Sequence, residues 1–160
     1  MRLPVTLVLL SCITLLVGCA NPRLLVVGQS TEADARARLG GPTETRVDRN
    51  GDRLWAYTTG PVGFETHLVR FGPDGKVKEV TQLLTEDQLA KVVPGKTTKS
   101  EVRELLGPPT DEATLLAGLT WWWRYARYGI QPGYLVVSFN PDGTVRESIA
   151  IIDLSADREN

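Results

Sequence analysis

Histidine and methionine each occur once in the 160 residues, and cysteine only twice. A hydrolase needs a nucleophile and a base held together. The single histidine, His67, alternates with Val69 and Phe71 along an apolar segment, which puts it on the core face of a strand. No Gly-x-Ser-x-Gly elbow, HExxH pair, CxxC pair or phosphate-binding loop occurs. The expectation is a non-enzymatic protein with no cofactor and no metal. The 18 Lys and Arg face 19 Asp and Glu, with no basic block, so no nucleic-acid partner is expected. Beyond residue 18 no apolar run approaches the roughly 20 residues that a membrane span requires.

The one long apolar run lies at the start. Met1-Arg2-Leu3 precedes Pro4 to Val17, followed by Gly18 and Cys19. A basic residue, a short apolar stretch and a small residue form a secretory signal peptide. Leu16-Val17-Gly18-Cys19 resembles the lipobox of bacterial lipoproteins. That resemblance implies cleavage before Cys19, acylation of its thiol and attachment to the membrane through the lipid. Ala20, where inner-membrane lipoproteins carry Asp, implies the outer membrane, facing the periplasm. Cys12 lies in the leader and Cys19 would be consumed by lipid, so no disulfide is expected after processing.

A second feature is internal repetition. Leu39-Gly40-Gly41-Pro42-Thr43 resembles Leu106-Gly107-Pro108-Pro109-Thr110. Trp55-Ala56-Tyr57 resembles Trp123-Arg124-Tyr125, one residue further on, and Phe71 to Val77 resembles Phe139 to Val145. The expected organisation is a leader (1–18), a lipid-anchored segment (19–27), a first module (28–82), a second module (83–154) and a tail (155–160). Gly28–Thr81 and Gly95–Ile152 should superpose.

Each module reads as helix, then hairpin, then strand. Thr98 or Ser100 caps a helix carrying Val102, Leu105 and Leu106 on one face. Gly107 followed by two prolines ends it. Trp121 to Tyr128, Tyr134 to Phe139 and Val145 to Ile152 read as strands, with a turn at Asn140-Pro141-Asp142-Gly143. Leu54 to Thr58, Thr66 to Phe71 and Val77 to Thr81 repeat them. Thr85 and Gln88 have capping-box spacing and predict a short extra helix. In the first copy only Leu24 to Val27 could fill that place, as a turn or edge strand.

Leu84 to Thr97, Thr98 to Pro109, Trp123-Arg124-Tyr125 and Phe139 to Val145 together resemble the BamE (SmpA/OmlA) family. The resemblance covers Leu84 to Ile152 well and Gly28 to Thr81 more loosely. It implies an α+β fold, with one or two short helices on a three-stranded antiparallel sheet, and the internal repeat makes two tandem modules of it where the typical family member has one. It further implies an accessory role in outer-membrane β-barrel assembly, with barrel-assembly subunits and other envelope proteins as partners. The doubled module also resembles the β-lactamase inhibitor proteins, so an inhibitor-like binder of a periplasmic enzyme is an alternative. A cell-wall glycan binder is another.

The Trp121-Trp122-Trp123 run is the most informative local signal. Trp121, Trp123 and Tyr125 share one face of a strand and Trp122 and Arg124 the other. The repeat sets Leu54 opposite Trp122. Trp122 is then either packed between the modules or exposed as a contact residue, because Trp beside Arg is typical of binding hot spots. Arg127 and Tyr128 lie nearby in sequence and would enlarge such a protein-binding patch.

Overall fold

The computed structural model describes residues 22–59, 64–116, 118–127 and 131–152. Cys19, the leader, Tyr128 and the tail lie outside them. No described helix is long and apolar enough to cross a membrane.

A 3-10 turn, Pro22–Leu24, leads to helix α1, Glu32–Leu39. Four antiparallel strands follow in meander order: β1 Glu44–Val47, β2 Arg53–Thr59, β3 Glu65–Phe71 and β4 Val77–Gln82. The second half runs α2 Glu86–Leu89, α3 Lys99–Leu106, β5 Asp111–Leu115, β6 Gly118–Arg127, β7 Gln131–Phe139 and β8 Val145–Ile152, again a four-stranded meander. The fold is α+β with two tandem modules. Each sheet has one strand more than the three expected. The added strands are the edges β1 (Glu-Thr-Arg-Val) and β5 (Asp-Glu-Ala-Thr-Leu), which are polar and largely exposed. An edge strand with one solvated side needs no apolar alternation, so it leaves no periodic signal.

Local chemistry explains why both halves fold alike. Thr31 and Thr98 each accept from the third-residue N–H of their helices, while Asp34 and Glu101 reach back to the capping backbone N–H. Gly40 and Gly107 end those helices at φ +79° and +73° and donate to the carbonyls of Arg36 and Arg103, a conformation in which a Cβ is penalised. Thr31 and Thr98 form single bridges to Lys76 and Thr144. The third strand of each sheet bulges at the same place, between Arg70 and Phe71 and between Ser138 and Phe139.

The pairing corrects one detail of the repeat. Thr43 donates to the Ala56 carbonyl and Thr110 to the Trp122 carbonyl. Trp55 lies 4.8 Å from Phe71, and Trp121 lies 4.8 Å from Phe139. The guanidinium of Arg36 covers Trp55 as that of Arg103 covers Trp121. The counterpart of Trp55 is therefore Trp121, not Trp123, and Trp122 corresponds to Ala56, not Leu54. A two-residue slip keeps every side chain on its own face. Three consecutive tryptophans thus offer two in-phase matches to Trp55.

Each sheet packs a core on its helix side. Ala35 and Leu39 of α1 meet Trp55, Tyr57, Val69, Phe71 and Val77. Val102 and Leu106 of α3, with Leu89 and Val92, meet Trp121, Trp123, Tyr125, Leu135, Val137 and Phe139. Trp123 is fully buried and its Nε1 donates to the Gly107 carbonyl at 3.2 Å. His67 is buried on the helix-side face as expected, with Nε2 3.9 Å from Glu65.

The modules stack. On its second side α3 meets the outer face of the first sheet. Arg103 pairs with Glu44 of β1 at 2.6 Å. A Cβ on Gly107 would stand 3.1 Å from Thr66 and 3.2 Å from Leu83. The gap left between Gly107-Pro108 and the first sheet is only about 10 Å³, scarcely one water. Leu83 and Leu84 join the modules, and both are buried. The layers therefore run α1, first sheet, α3, second sheet.

Candidate binding face

The outer face of the second sheet has no helix of the described residues over it. Strand register places Asp111, Trp122, Val136 and Ile149 in one row across β5 to β8, and Arg124, Tyr134 and Ile151 in the next. Trp122, Tyr134 and Val136 are half-buried. Ile149 and Ile151 retain 43% and 45% of their surface, although large aliphatic side chains ordinarily sit inside.

Among the residues singled out from sequence, Trp122 and Arg124 do share this face. The Arg124 guanidinium lies 4.8 Å from the Phe64 ring of the first module and 5.8 Å from Tyr134. It thus contributes both to the junction between modules and to the rim of the face. Arg127 does not join them. Its position in β6 puts it with Trp123 and Tyr125, and its Cβ lies on the Gly133 side of the strand. Tyr128 and Cys19 lie outside the described residues.

Sequence reasoning missed Tyr134, Val136, Ile149 and Ile151. The signal was present in β8, where Ser-Ile-Ala-Ile-Ile is apolar on both faces. A strand covered on one side alternates instead.

The corresponding positions of the first sheet are Ala56, Thr66, Leu68, Thr81 and Leu83. There Ala56, Thr66 and Leu83 are at most 4% exposed, because α3 and Gly107-Pro108 sit on them. Leu68 and Thr81 remain half-buried, so the same sheet face is covered at its centre in one module and, among the described residues, open in the other.

Elsewhere an open groove of about 700 Å³ lies where α3 crosses the first sheet. Arg46, Arg49 and Arg70 line one wall and Glu101 and Glu104 the other. Arg70 pairs with Asp48 and Asp52, and Lys78 also binds Asp52 at 3.0 Å. These carboxylates belong to ion pairs at the β1–β2 turn. Desolvation raises the Asp48 carboxyl, but the Asn50 and Asp52 N–H groups and the hydrogen bond and charge of Arg70 together hold it below the usual range. The groove brings together charges of both signs and the hydroxyls of Thr98 and Ser100, and no histidine is among the residues that line it. Among the described residues no group of His, Cys, Asp and Glu could hold a metal.

Residues 82–149 match the family model described as the outer membrane protein assembly factor BamE domain. That span is the second module, with α2, α3 and all but the last residues of β8. No curated protein matches the chain. Two solved structures resemble it at low identity. One is a DUF4309 family protein, YjgB, from Bacillus subtilis, 16% identical over 82% of this chain and 84% of that one, with a TM-score of 0.32. The other is an extracellular protein containing an SCP domain from Bacillus anthracis, 14% identical over 82% of this chain and 45% of that one, at 0.31. At those scores neither carries an argument about function.

Proposed function

We propose, taking as premise that residues 82–149 belong to the BamE domain family, that this chain is an outer-membrane lipoprotein serving as a non-enzymatic scaffold in β-barrel protein assembly. The family description names outer-membrane protein assembly, and the leader with its lipobox-like Leu16 to Cys19 supplies the anchor. Leu25 is already buried in the first core. Six residues reach at most about 20 Å, so the first module would lie close to the periplasmic surface of the membrane.

The observation that carries the binding role is the open apolar face around Trp122. A clustered apolar patch rimmed by charge marks a contact surface, and a Trp beside an Arg is its typical anchor. The ordinary task of such a face is to hold another protein.

The test is cross-linking in intact envelopes followed by purification of the chain and identification of what it carries. Barrel-assembly subunits should be recovered with the wild type. Trp122→Ala should fold normally and bind at least roughly thirtyfold more weakly, the effect of losing an anchor worth about 2 kcal/mol. Recovery of a soluble periplasmic hydrolase instead would favour an inhibitor-like role. Undiminished recovery with Trp122→Ala would remove the face from the reading.

A further inference from the structure

From the stacking inside one chain we infer that a second copy of the chain docks its α1 on the open face of the second sheet, so that copies associate head to tail. The inference names an occupant for the face on which the proposed function rests.

Both halves of the junction between modules occur twice in the chain. In the junction that is formed, α3 presents Arg103, Gly107 and Pro108 to the first sheet and pairs Arg103 with Glu44. The corresponding surface of α1 presents Arg36, Gly40 and Gly41, all exposed. The corresponding sheet face is the open one, and Asp111 stands in the place of Glu44, at the start of its edge strand and also exposed. An Arg36–Asp111 pair between copies would reproduce the Arg103–Glu44 pair within one, with the same signs.

Sizes are exchanged between the two sides. On the sheet, Ala56 and Thr66 are replaced by Trp122 and Tyr134, which would exclude a corner as bulky as that of α3. On the helix, Ser100, Glu104 and Pro108 are replaced by Ala33, Ala37 and Gly41. Larger side chains on one surface meet smaller ones on the other, which keeps a close approach possible. Layer order gives the same pairing. Each sheet face in the stack that is covered is covered by a helix, and the outer face of the second sheet is the next in sequence. Because the two docking surfaces differ, the contact is heterologous and does not close at two copies.

The experiment is light scattering of the full chain purified in detergent, across a concentration series. The wild type should grow in mass beyond a dimer. Arg36→Glu, which faces Asp111 with a like charge, should weaken association by about tenfold or more, and Trp122→Ala or Ile149→Lys should do so from the other side. An equal mixture of Arg36→Glu and Trp122→Ala retains one good surface of each kind and should form dimers and nothing longer. The double variant Arg36→Glu, Asp111→Arg should recover growth. Melting curves verify that each variant is folded. A wild type that is monomeric throughout overturns the inference, as does growth that Arg36→Glu leaves unchanged. Dimers lost with Trp122→Ala alone, and not regained in the mixture, would indicate two faces meeting symmetrically and also overturn it. If the wild type is monomeric but its envelope cross-links still depend on Trp122, self-association fails and the scaffold reading stands. Self-association with no other envelope partner has the opposite meaning.

Discussion

The outer faces of the two sheets share a backbone frame and differ in what lies over them. In the first, small residues at 56 and 66 let Gly107-Pro108 and α3 settle on the strands, and Ala56, Thr66 and Leu83 lose nearly all contact with water. In the second, Trp122 and Tyr134 occupy the same places, and Ile149 and Ile151 stay exposed. Burial in this fold is therefore decided one level above the module. A strand pattern shows that a face is apolar, and only the neighbouring module shows whether it is already satisfied.

The largest effect expected lies in the core that both frames share. Trp123→Ala should cost about 3–5 kcal/mol, as truncations of buried aromatics do, and it also leaves the Gly107 carbonyl without the donor it now has. Its counterpart Tyr57 has a buried hydroxyl with no hydrogen-bond partner among the described residues, and burial pushes that group up to about 12. Tyr57→Phe should therefore be neutral or stabilising, since it removes an unpaired buried polar atom. Urea titration of both variants checks the contrast. A large loss for Tyr57→Phe together with a small one for Trp123→Ala would break the correspondence of the two cores.

Next in size are the helix-ending glycines. Gly40→Ala and Gly107→Ala should each lose about 1–2 kcal/mol from their left-handed backbone. Gly40 has open space where a Cβ would be, whereas at Gly107 it meets Thr66 and Leu83. Gly107→Ala should thus cost about 1 kcal/mol or more beyond its counterpart, the usual result of overpacking. Equal losses would mean that the junction yields easily and does not hold the modules together.

The smallest effect is on pH dependence, where the modules should behave alike. Hydrogen bonds from the Thr31 and Thr98 backbone N–H groups, then from their hydroxyls, hold Asp34 and Glu101 below the usual carboxylate range. A carboxylate depressed in the fold stabilises it above its unfolded value and ceases to do so as pH falls through the folded one. Stability should therefore decline below about pH 4, and less steeply in Asp34→Asn and Glu101→Gln, with thermal melts across that range as the measure. Profiles unchanged by either substitution would remove the caps as the cause.

The sequence made the two modules legible through turns and caps. Thr98, Gly107 and Asp142-Gly143 announce their backbone roles by local chemistry that requires no partner. The edge strands β1 and β5 were not legible, because polar residues on a solvated edge resemble loop. The register of Trp55 was not legible either, since alternation repeats every two residues. Trp122 was marked as unusual by its place opposite the core, and Ile149 and Ile151 add the rest of that face. Its openness came only from the stack, because whether α3 covers one sheet or lies between two depends on residues far apart in the chain, such as Arg103 and Glu44.

The central claim, one face covered by Gly107-Pro108 of its own chain and its counterpart open for contact, is tested most directly by a photo-crosslinking residue placed at 68 or at 136 in living cells. Leu68 and Val136 are corresponding positions on the two outer faces. Position 136 should yield adducts with other polypeptides, whereas position 68 should cross-link within the chain, to the segment around Gly107 and Pro108. Intermolecular adducts of equal yield at both positions, or none at 136, would contradict the account.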